Sequence, residues 1–219
     1  MIYFDRTKAQ APIINKNYKT EQIYDALEIV FGNKCYLCET WQPDPRNFDI
    51  EHFKAHGNDP FLKYLWRNLY LACGGTCNQY KSDAEILDPC SPDENVETLI
   101  IYEYTSTAQK IILRFHPKDP NNQKVVNTCN LLDKIHNGSN PKSVRKTAAL
   151  RLAIRNRAEQ LYKAIIKYYK EGKDGNEFEE AIALRKIKRI CSRYSPYTML
   201  MRAVATDEMK PKDLQNLFD

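Results

Sequence analysis

Two pairs of closely spaced cysteines constrain this chain more than any other feature of its sequence. Cys35 and Cys38 are separated by two residues, whereas Cys73 and Cys77 are separated by three, of which two are glycines. Structural zinc takes four thiolate or imidazole ligands in a tetrahedron, and two short knuckles supply such a set. The spacing therefore predicts a structural Zn²⁺ bound by all four cysteines, with buried free thiols as the alternative.

Composition and charge limit the class of protein. Among the 219 residues, 42% are hydrophobic and 28% are charged, as in an ordinary soluble globular protein. The net charge of +5 is too small to indicate nucleic-acid binding by itself. The first eighteen residues contain no long apolar stretch, and no apolar segment is long enough to span a bilayer. We therefore expect a cytoplasmic protein, with no membrane association, whose paired cysteines bind metal rather than form disulfides.

Hydrophobic periodicity predicts an α+β chain. A short helix between Thr20 and Gly32 would lead to the first cysteine pair. Segments 99–104 and 110–115 are rich in β-branched and aromatic residues and predict a β-hairpin with a polar tip at 105–107.

The rest of the chain reads as helical. Asp119-Pro120 starts one helix, which ends at Asn137-Gly138, and Asn140-Pro141 starts a longer one that runs to about Tyr169. A capping box of Asn176 and Glu179 starts a third helix. The expected apolar face of this third helix consists of Ala183, Ile187, Ile190 and Tyr194. Ser195-Pro196 would end it, and a short helix would follow from Tyr197.

An acidic–histidine pair, Glu51-His52, lies between the two cysteine pairs. Cutting a phosphodiester needs an activated water and a cation that neutralises developing charge. A neutral histidine can accept the proton, and a carboxylate can bind a hard cation such as Mg²⁺. Strand-like alternation in 48–53 would separate the two side chains, but the twist of a short hairpin could bring both to one cleft. A surface pair without a catalytic role is the alternative.

The order of these motifs resembles that of the HNH endonucleases, in particular the PtuB-like HNH proteins of the Septu anti-phage system and their retron-associated relatives. The similarity is specific over about fifty residues. The residues that carry it are, in order, Cys35, Cys38, Asp49, Glu51, His52, Asn68, Cys73, Cys77, Asn78 and Lys81. It implies a zinc-stapled ββα-metal module, followed by an added β-hairpin and a mainly helical C-terminal part.

The resemblance also implies catalytic roles. His52 matches the general base, and Asn68 matches the asparagine that orients this base. Glu51 and Asn78 match the ligands of a catalytic Mg²⁺ or other divalent cation, although the family usually has aspartate in place of Glu51. Asp49 lies where some members carry a further acid, so it is an additional candidate ligand.

Basic residues are the candidate contacts to nucleic acid. Lys81 matches a basic residue near the phosphates, and Lys54 and His56 lie in the segment after the predicted base. Residues 142–173 contain ten basic and two acidic residues, so Arg151 and Arg155 are further candidates. A solvated helix face, and for His56 a solvated loop, are the alternatives.

These observations favour a metal-dependent HNH endonuclease that hydrolyses DNA in anti-phage defence. The resemblance implies control by a PtuA-like ATPase partner, within a retron complex in some relatives. Residues 1–118 would form the nuclease module with its N-terminal helix and hairpin, and residues 119–219 a helical region, with one compact domain as the alternative. A zinc-knuckle protein that binds nucleic acid without cutting it, or that serves as an assembly subunit, is the alternative function.

Overall fold

A computed structural model describes residues 1–107, 109–139 and 144–218 of the chain. It is an α+β protein with two separate antiparallel hairpins and a helical C-terminal region, as predicted. In the described ranges, no helix combines the length and the apolar character that crossing a membrane would require.

Short elements surround the predicted site. They are α1 (Glu21–Phe31), β1 (Asp49–His52), α2 (Pro60–Tyr64), β2 (Leu69–Ala72) and α3 (Cys77–Tyr80). The first helix ends at Gly32, whose φ of 57° is the left-handed conformation that glycine adopts at low cost. Strands β1 and β2 pair so that Glu51 lies opposite Tyr70 and His52 opposite Leu69. Since α3 follows β2 after the second cysteine knuckle, two strands and a helix surround the site.

The second hairpin consists of β3 (Ile100–Ser106) and β4 (Ile111–Pro117), which confirms both predicted strands. The strands are longer than predicted, because Thr105 and Ser106 still pair with β4. Apolar side chains of one face are buried against the helices, namely Ile100, Tyr104, Ile111, Leu113 and Phe115.

In the described residues, four α-helices follow the second hairpin: α4 (Gln123–Asn137), α5 (Val144–Lys173), α6 (Glu177–Cys191) and α7 (Thr198–Glu208). A short 3-10 helix (Pro211–Leu214) comes after them. The predicted start of α4 at Asp119-Pro120 is wrong, because Asn122 caps the helix by accepting bonds from Lys124 N and Val125 N. The predicted start of α5 at Asn140-Pro141 lies outside the described residues.

The remaining helix boundaries largely follow the sequence. Asn176 caps α6 by accepting a bond from Glu179 N, as predicted. Placing Tyr194 on the apolar face of α6 was wrong, because the helix ends at Cys191 and Tyr194 is 66% exposed. Helix α7 follows Tyr197, also as predicted.

One contiguous apolar core includes residues from both sides of position 118. Helix α4 packs on β4, and α7 packs on β3. The C-terminal region also reaches the first cysteine knuckle. The buried Lys34 ammonium donates to Ser195 O and to Thr198 Oγ1, and Met199 N donates to the Glu39 carboxylate. These contacts tie the knuckle to the C-terminal region.

Candidate functional site

The four predicted cysteines come together in one cluster. Their sulfur atoms all lie within 4.8 Å of one another, and Cys38 Sγ lies 3.6 Å from Cys73 Sγ. Four sulfurs on one zinc, each at about 2.3 Å from the metal, would lie about 3.8 Å apart. A disulfide would need a separation of about 2.05 Å. The geometry is therefore consistent with a structural zinc site formed by Cys35, Cys38, Cys73 and Cys77.

Local backbone geometry builds both knuckles. In the first, Cys35 N donates to Thr40 O and Glu39 N donates back to Cys35 O, while Glu39 has a φ of 57°. In the second, Gly75 has a φ of 69°, which favours glycine. A Cβ atom on Gly74 would lie 2.6 Å from Oδ2 of the exposed Asp49, so a larger residue there would displace this carboxylate.

The crowded thiols fit a divalent cation. Hydrogen bonds from neighbouring thiols, that of Cys35 foremost, lower the pKa of Cys38 well below its usual value. The interaction with Cys35 raises the pKa of Cys77 well above its usual value. The cluster by itself thus stabilises one thiolate but opposes several. Zinc removes this conflict because its charge stabilises all four thiolates.

A cleft of about 810 Å³ lies beside the cysteine cluster. It brings together most of the predicted catalytic and phosphate-contacting residues. The predicted residues that line it are Asp49, Glu51, His52, Lys54, Asn78 and Lys81. The aromatic ring of Tyr18 also lines it and contacts the His52 ring edge-on, at 4.8 Å between centroids.

Glu51 is the buried carboxylate of this cleft, with an exposed fraction of 6%. Its Oε1 atom accepts a bond from the Tyr36 hydroxyl at 3.1 Å and lies 2.7 Å from Lys81 Nζ. Its Oε2 atom is buried and has no hydrogen-bond partner in the part of the chain that the structure describes. Burial raises the pKa of Glu51, and Lys81 opposes this shift. An unsatisfied buried carboxylate oxygen is costly, and a cation would satisfy it.

His52 is held in one tautomer. Its Nε2 atom lies 2.9 Å from the carbonyl oxygen of Lys63, so Nε2 carries the hydrogen and donates it. Nδ1 is consequently the acceptor nitrogen of the neutral ring. Burial lowers the pKa of His52, with the neighbouring His56 contributing in the same direction. The neutral, proton-accepting form therefore prevails at pH 7.

The hydrogen bonds of the Asn68 side chain go to the main chain and not to the His52 ring. Asn68 is 4% exposed, and its amide accepts from Lys54 N at 2.7 Å and donates to Lys54 O and Leu62 O at 3.0 Å. These three bonds fix the loop between β1 and α2. The next residue after Leu62 is Lys63, whose carbonyl receives the His52 bond, so Asn68 acts on the histidine through this loop.

Lys81 lines the cleft with a side chain that is 12% exposed, and its contact with a phosphate stays a prediction. Its ammonium contacts Glu51 Oε1 and donates to the carbonyl oxygens of His52, at 2.8 Å, and Phe53. His56 packs edge-on against the His52 ring at 4.4 Å between centroids, and its buried Nδ1 has no partner among the described residues.

Oxygen ligands for a hard cation are present but loosely arranged. Asn78, in α3, is exposed at the cleft, and Asp49 is exposed beside Gly74. Among the described residues, the cysteine cluster is the only group of three or more acidic, histidine or cysteine side chains with metal-binding spacing. Binding of a catalytic cation by Glu51, Asn78 or Asp49 therefore stays a prediction.

Arg151 and Arg155 line a different depression, between α5 and the second hairpin. Arg151 donates to Asn137 Oδ1 at 2.7 Å and to Ile111 O, and Arg155 contacts Glu159 at 3.2 Å. Both guanidinium groups thus contact acceptors of the protein itself, and their binding to nucleic acid stays a prediction.

Sequence reasoning missed two groups of the site. Tyr36 lies between the first two cysteines and contacts the buried carboxylate of Glu51, and its position inside the knuckle was the only available signal. The Lys63 carbonyl had no signal, because any residue type supplies a main-chain carbonyl.

Comparison with known proteins identifies no relative of this chain. No protein-family model, curated protein or solved structure matches the chain. The resemblance to HNH endonucleases therefore rests on the motif residues of the chain and on their arrangement.

Proposed function

We propose that the protein is a metal-dependent HNH-type endonuclease that hydrolyses DNA phosphodiester bonds in its cleft. One observation carries the proposal. The cleft combines a histidine whose acceptor nitrogen is set by the Lys63 carbonyl with a buried carboxylate that keeps one oxygen unpartnered among the described residues. These are the two groups that metal-assisted phosphodiester hydrolysis requires.

His52 is the general base in this proposal. Its Nδ1 atom accepts a proton from the attacking water, while Nε2–H remains on the Lys63 carbonyl. That carbonyl fixes the ring and stabilises the imidazolium that forms. The lowered pKa keeps the ring able to accept a proton at neutral pH.

Glu51 and Asn78 are the proposed ligands of a catalytic Mg²⁺ or other divalent cation, with Asp49 as an additional candidate. When bound, such a cation neutralises charge on the phosphate and the leaving oxygen. The hard oxygen donors and the unpartnered Oε2 atom of Glu51 support this assignment. Lys54, at the rim of the cleft, is the proposed contact to the DNA backbone.

The biological setting is a further part of the proposal. The motif resemblance supports a role in anti-phage defence under the control of a PtuA-like ATPase, with a retron complex as a possible context. The basic helix α5 supports a docking or DNA-binding surface, because clustered lysine and arginine attract phosphates without reading sequence.

Plasmid cleavage tests the activity. The wild type should nick or linearise plasmid with Mg²⁺ and fail with EDTA, and His52→Ala should fail with both. His116→Ala is the matched control, because His116 is an exposed histidine on β4 that contacts Glu103. Equal cleavage by the wild type and His52→Ala would overturn the mechanism. If no protein cuts alone, the same set is assayed with the partner ATPase.

One observation favours a second candidate, a zinc-knuckle protein that binds nucleic acid without cutting it. The Lys81 ammonium already neutralises Glu51 at 2.7 Å, so the carboxylate has a cationic partner without any metal. This candidate predicts DNA binding that requires zinc but is unchanged in His52→Ala and Glu51→Gln.

A further inference from the structure

We propose that Tyr36 is a positioning residue that connects the zinc knuckle to the catalytic cation. It fixes Glu51 so that Oε2 remains available as the cation ligand. This inference rests on the proposed function, and it assigns a role to a residue that the motif comparison does not include.

The first step is the place of Tyr36 in the chain. It follows the zinc ligand Cys35 directly, and its main-chain N–H donates to Leu71 O at 3.0 Å. The residue is fully buried. Its backbone is therefore fixed both by the knuckle and by β2, so the position of its side chain depends on the zinc site.

The second step is its contact with Glu51. The Tyr36 hydroxyl lies 3.1 Å from Glu51 Oε1, in a buried environment. An ionised carboxylate oxygen can only accept a hydrogen bond, so the Tyr36 hydroxyl is the donor.

The third step is the difference between the two carboxylate oxygens. Oε1 has two donors, Tyr36 and Lys81, whereas Oε2 is buried without a partner in the described part of the chain. Donors on one oxygen orient the carboxylate and leave the other for a cation. Hydrogen bonds to ligating carboxylates typically change metal affinity or activity by about 10–100-fold.

The test compares Tyr36→Phe with Tyr70→Phe. Both tyrosines are fully buried, and their rings lie 5.0 Å apart, but the Tyr70 hydroxyl donates to Asp88 at 2.6 Å. Mn²⁺ binding is measured by electron paramagnetic resonance, and plasmid cleavage is measured against Mg²⁺ concentration. Zinc content is determined for every variant.

Tyr36→Phe should bind Mn²⁺ about 10-fold more weakly and need about 10-fold more Mg²⁺ for half-maximal cleavage. Its zinc content and its rate at saturating Mg²⁺ should stay near those of the wild type. Tyr70→Phe should match the wild type both in Mn²⁺ binding and in the Mg²⁺ concentration for half-maximal cleavage. A purely structural role would instead lower zinc content and maximal rate together. If zinc-loaded Tyr36→Phe binds Mn²⁺ as tightly as the wild type and needs no more Mg²⁺ for half-maximal cleavage, the inference is overturned.

Glu51→Gln separates this inference from the proposed function. Wild-type Mn²⁺ binding in Glu51→Gln would show that the cation site itself is wrong, and both claims would fall. If Glu51→Gln binds Mn²⁺ more weakly, as the proposed function predicts, but Tyr36→Phe loses its zinc, Tyr36 has a purely structural role and the inference alone is overturned.

Discussion

Asn68 shows how a single buried side chain can support the proposed general base without a hydrogen bond to it. Its amide makes three hydrogen bonds to main-chain atoms of Lys54 and Leu62. The loop that these bonds hold carries the Lys63 carbonyl, which sets the tautomer of His52. The orienting role expected of Asn68 thus has a physical route through the loop.

Replacing Asn68 by alanine should therefore weaken both the fold and the site. Three partly buried main-chain groups lose a partner, which should lower the free energy of unfolding by about 2–3 kcal/mol. Urea unfolding measures this change. Asn127→Ala is the control, because Asn127 makes a more exposed bond to Glu85 O. If the two variants lose the same small amount of stability, the three hydrogen bonds of Asn68 do not stabilise the loop as argued.

At the residue scale, sequence patterns predicted the candidate site residues but not the groups that orient their side chains. The cysteine spacing found a cluster that the structure confirms, and both Glu51 and His52 line the cleft. The bonds from Tyr36 to Glu51 and from His52 to Lys63 O join residues 15 and 11 positions apart. Such pairings depend on the register of β1 and β2, which no local pattern specifies.

At the scale of elements, the four-cysteine cluster joins two knuckles that precede and follow the first hairpin. Cys35→Ser should abolish stoichiometric zinc and lower the melting temperature, because structural zinc contributes directly to folding. Metal analysis and thermal unfolding measure both. Cys129→Ser is the matched control, since Cys129 is a buried cysteine of α4 outside the cluster. Full zinc occupancy in Cys35→Ser would contradict the assignment.

Element boundaries were predictable where a capping residue acts locally. Gly32 and Asn176 were predicted as caps, and both hold those positions. The start of α4 was missed because Asn122 competes with Pro120 for the start of the helix, and its side chain satisfies two main-chain donors. A proline fixes φ but offers no such acceptor.

At the scale of the whole molecule, the C-terminal helices share a core with the site region, and this arrangement was not predictable. The buried Lys34 is a clear case, because its acceptors Ser195 and Thr198 lie more than 150 positions later. From the sequence alone, a lysine next to a cysteine knuckle is predicted to be exposed to solvent. Only the assembled fold provides the oxygen atoms that allow its burial.

His136 should make the stability of this shared core depend on pH. Burial lowers its pKa to about 4, whereas the unfolded chain binds a proton near pH 6.5. The unfolded state therefore gains protons first as the pH falls, and the folded state loses stability. Between pH 7.5 and pH 5 the loss should be on the order of 2 kcal/mol.

Unfolding of the wild type and His136→Gln over this pH range measures the effect. The variant should be less stable at pH 7.5, because it loses ring contacts with Phe115, but it should show a flatter dependence on pH. Equal pH dependence in both proteins would mean that His136 is not the group responsible.

The most direct test of the central claim is chemical rescue of the proposed base. Plasmid cleavage by zinc-loaded His52→Ala is measured at saturating Mg²⁺, with and without imidazole. We predict loss of activity in the variant and partial recovery with imidazole, because the free base can enter the cleft and accept the proton in place of His52. Full activity of His52→Ala without imidazole, or no recovery in a folded, zinc-loaded variant, would contradict the role of His52 as general base.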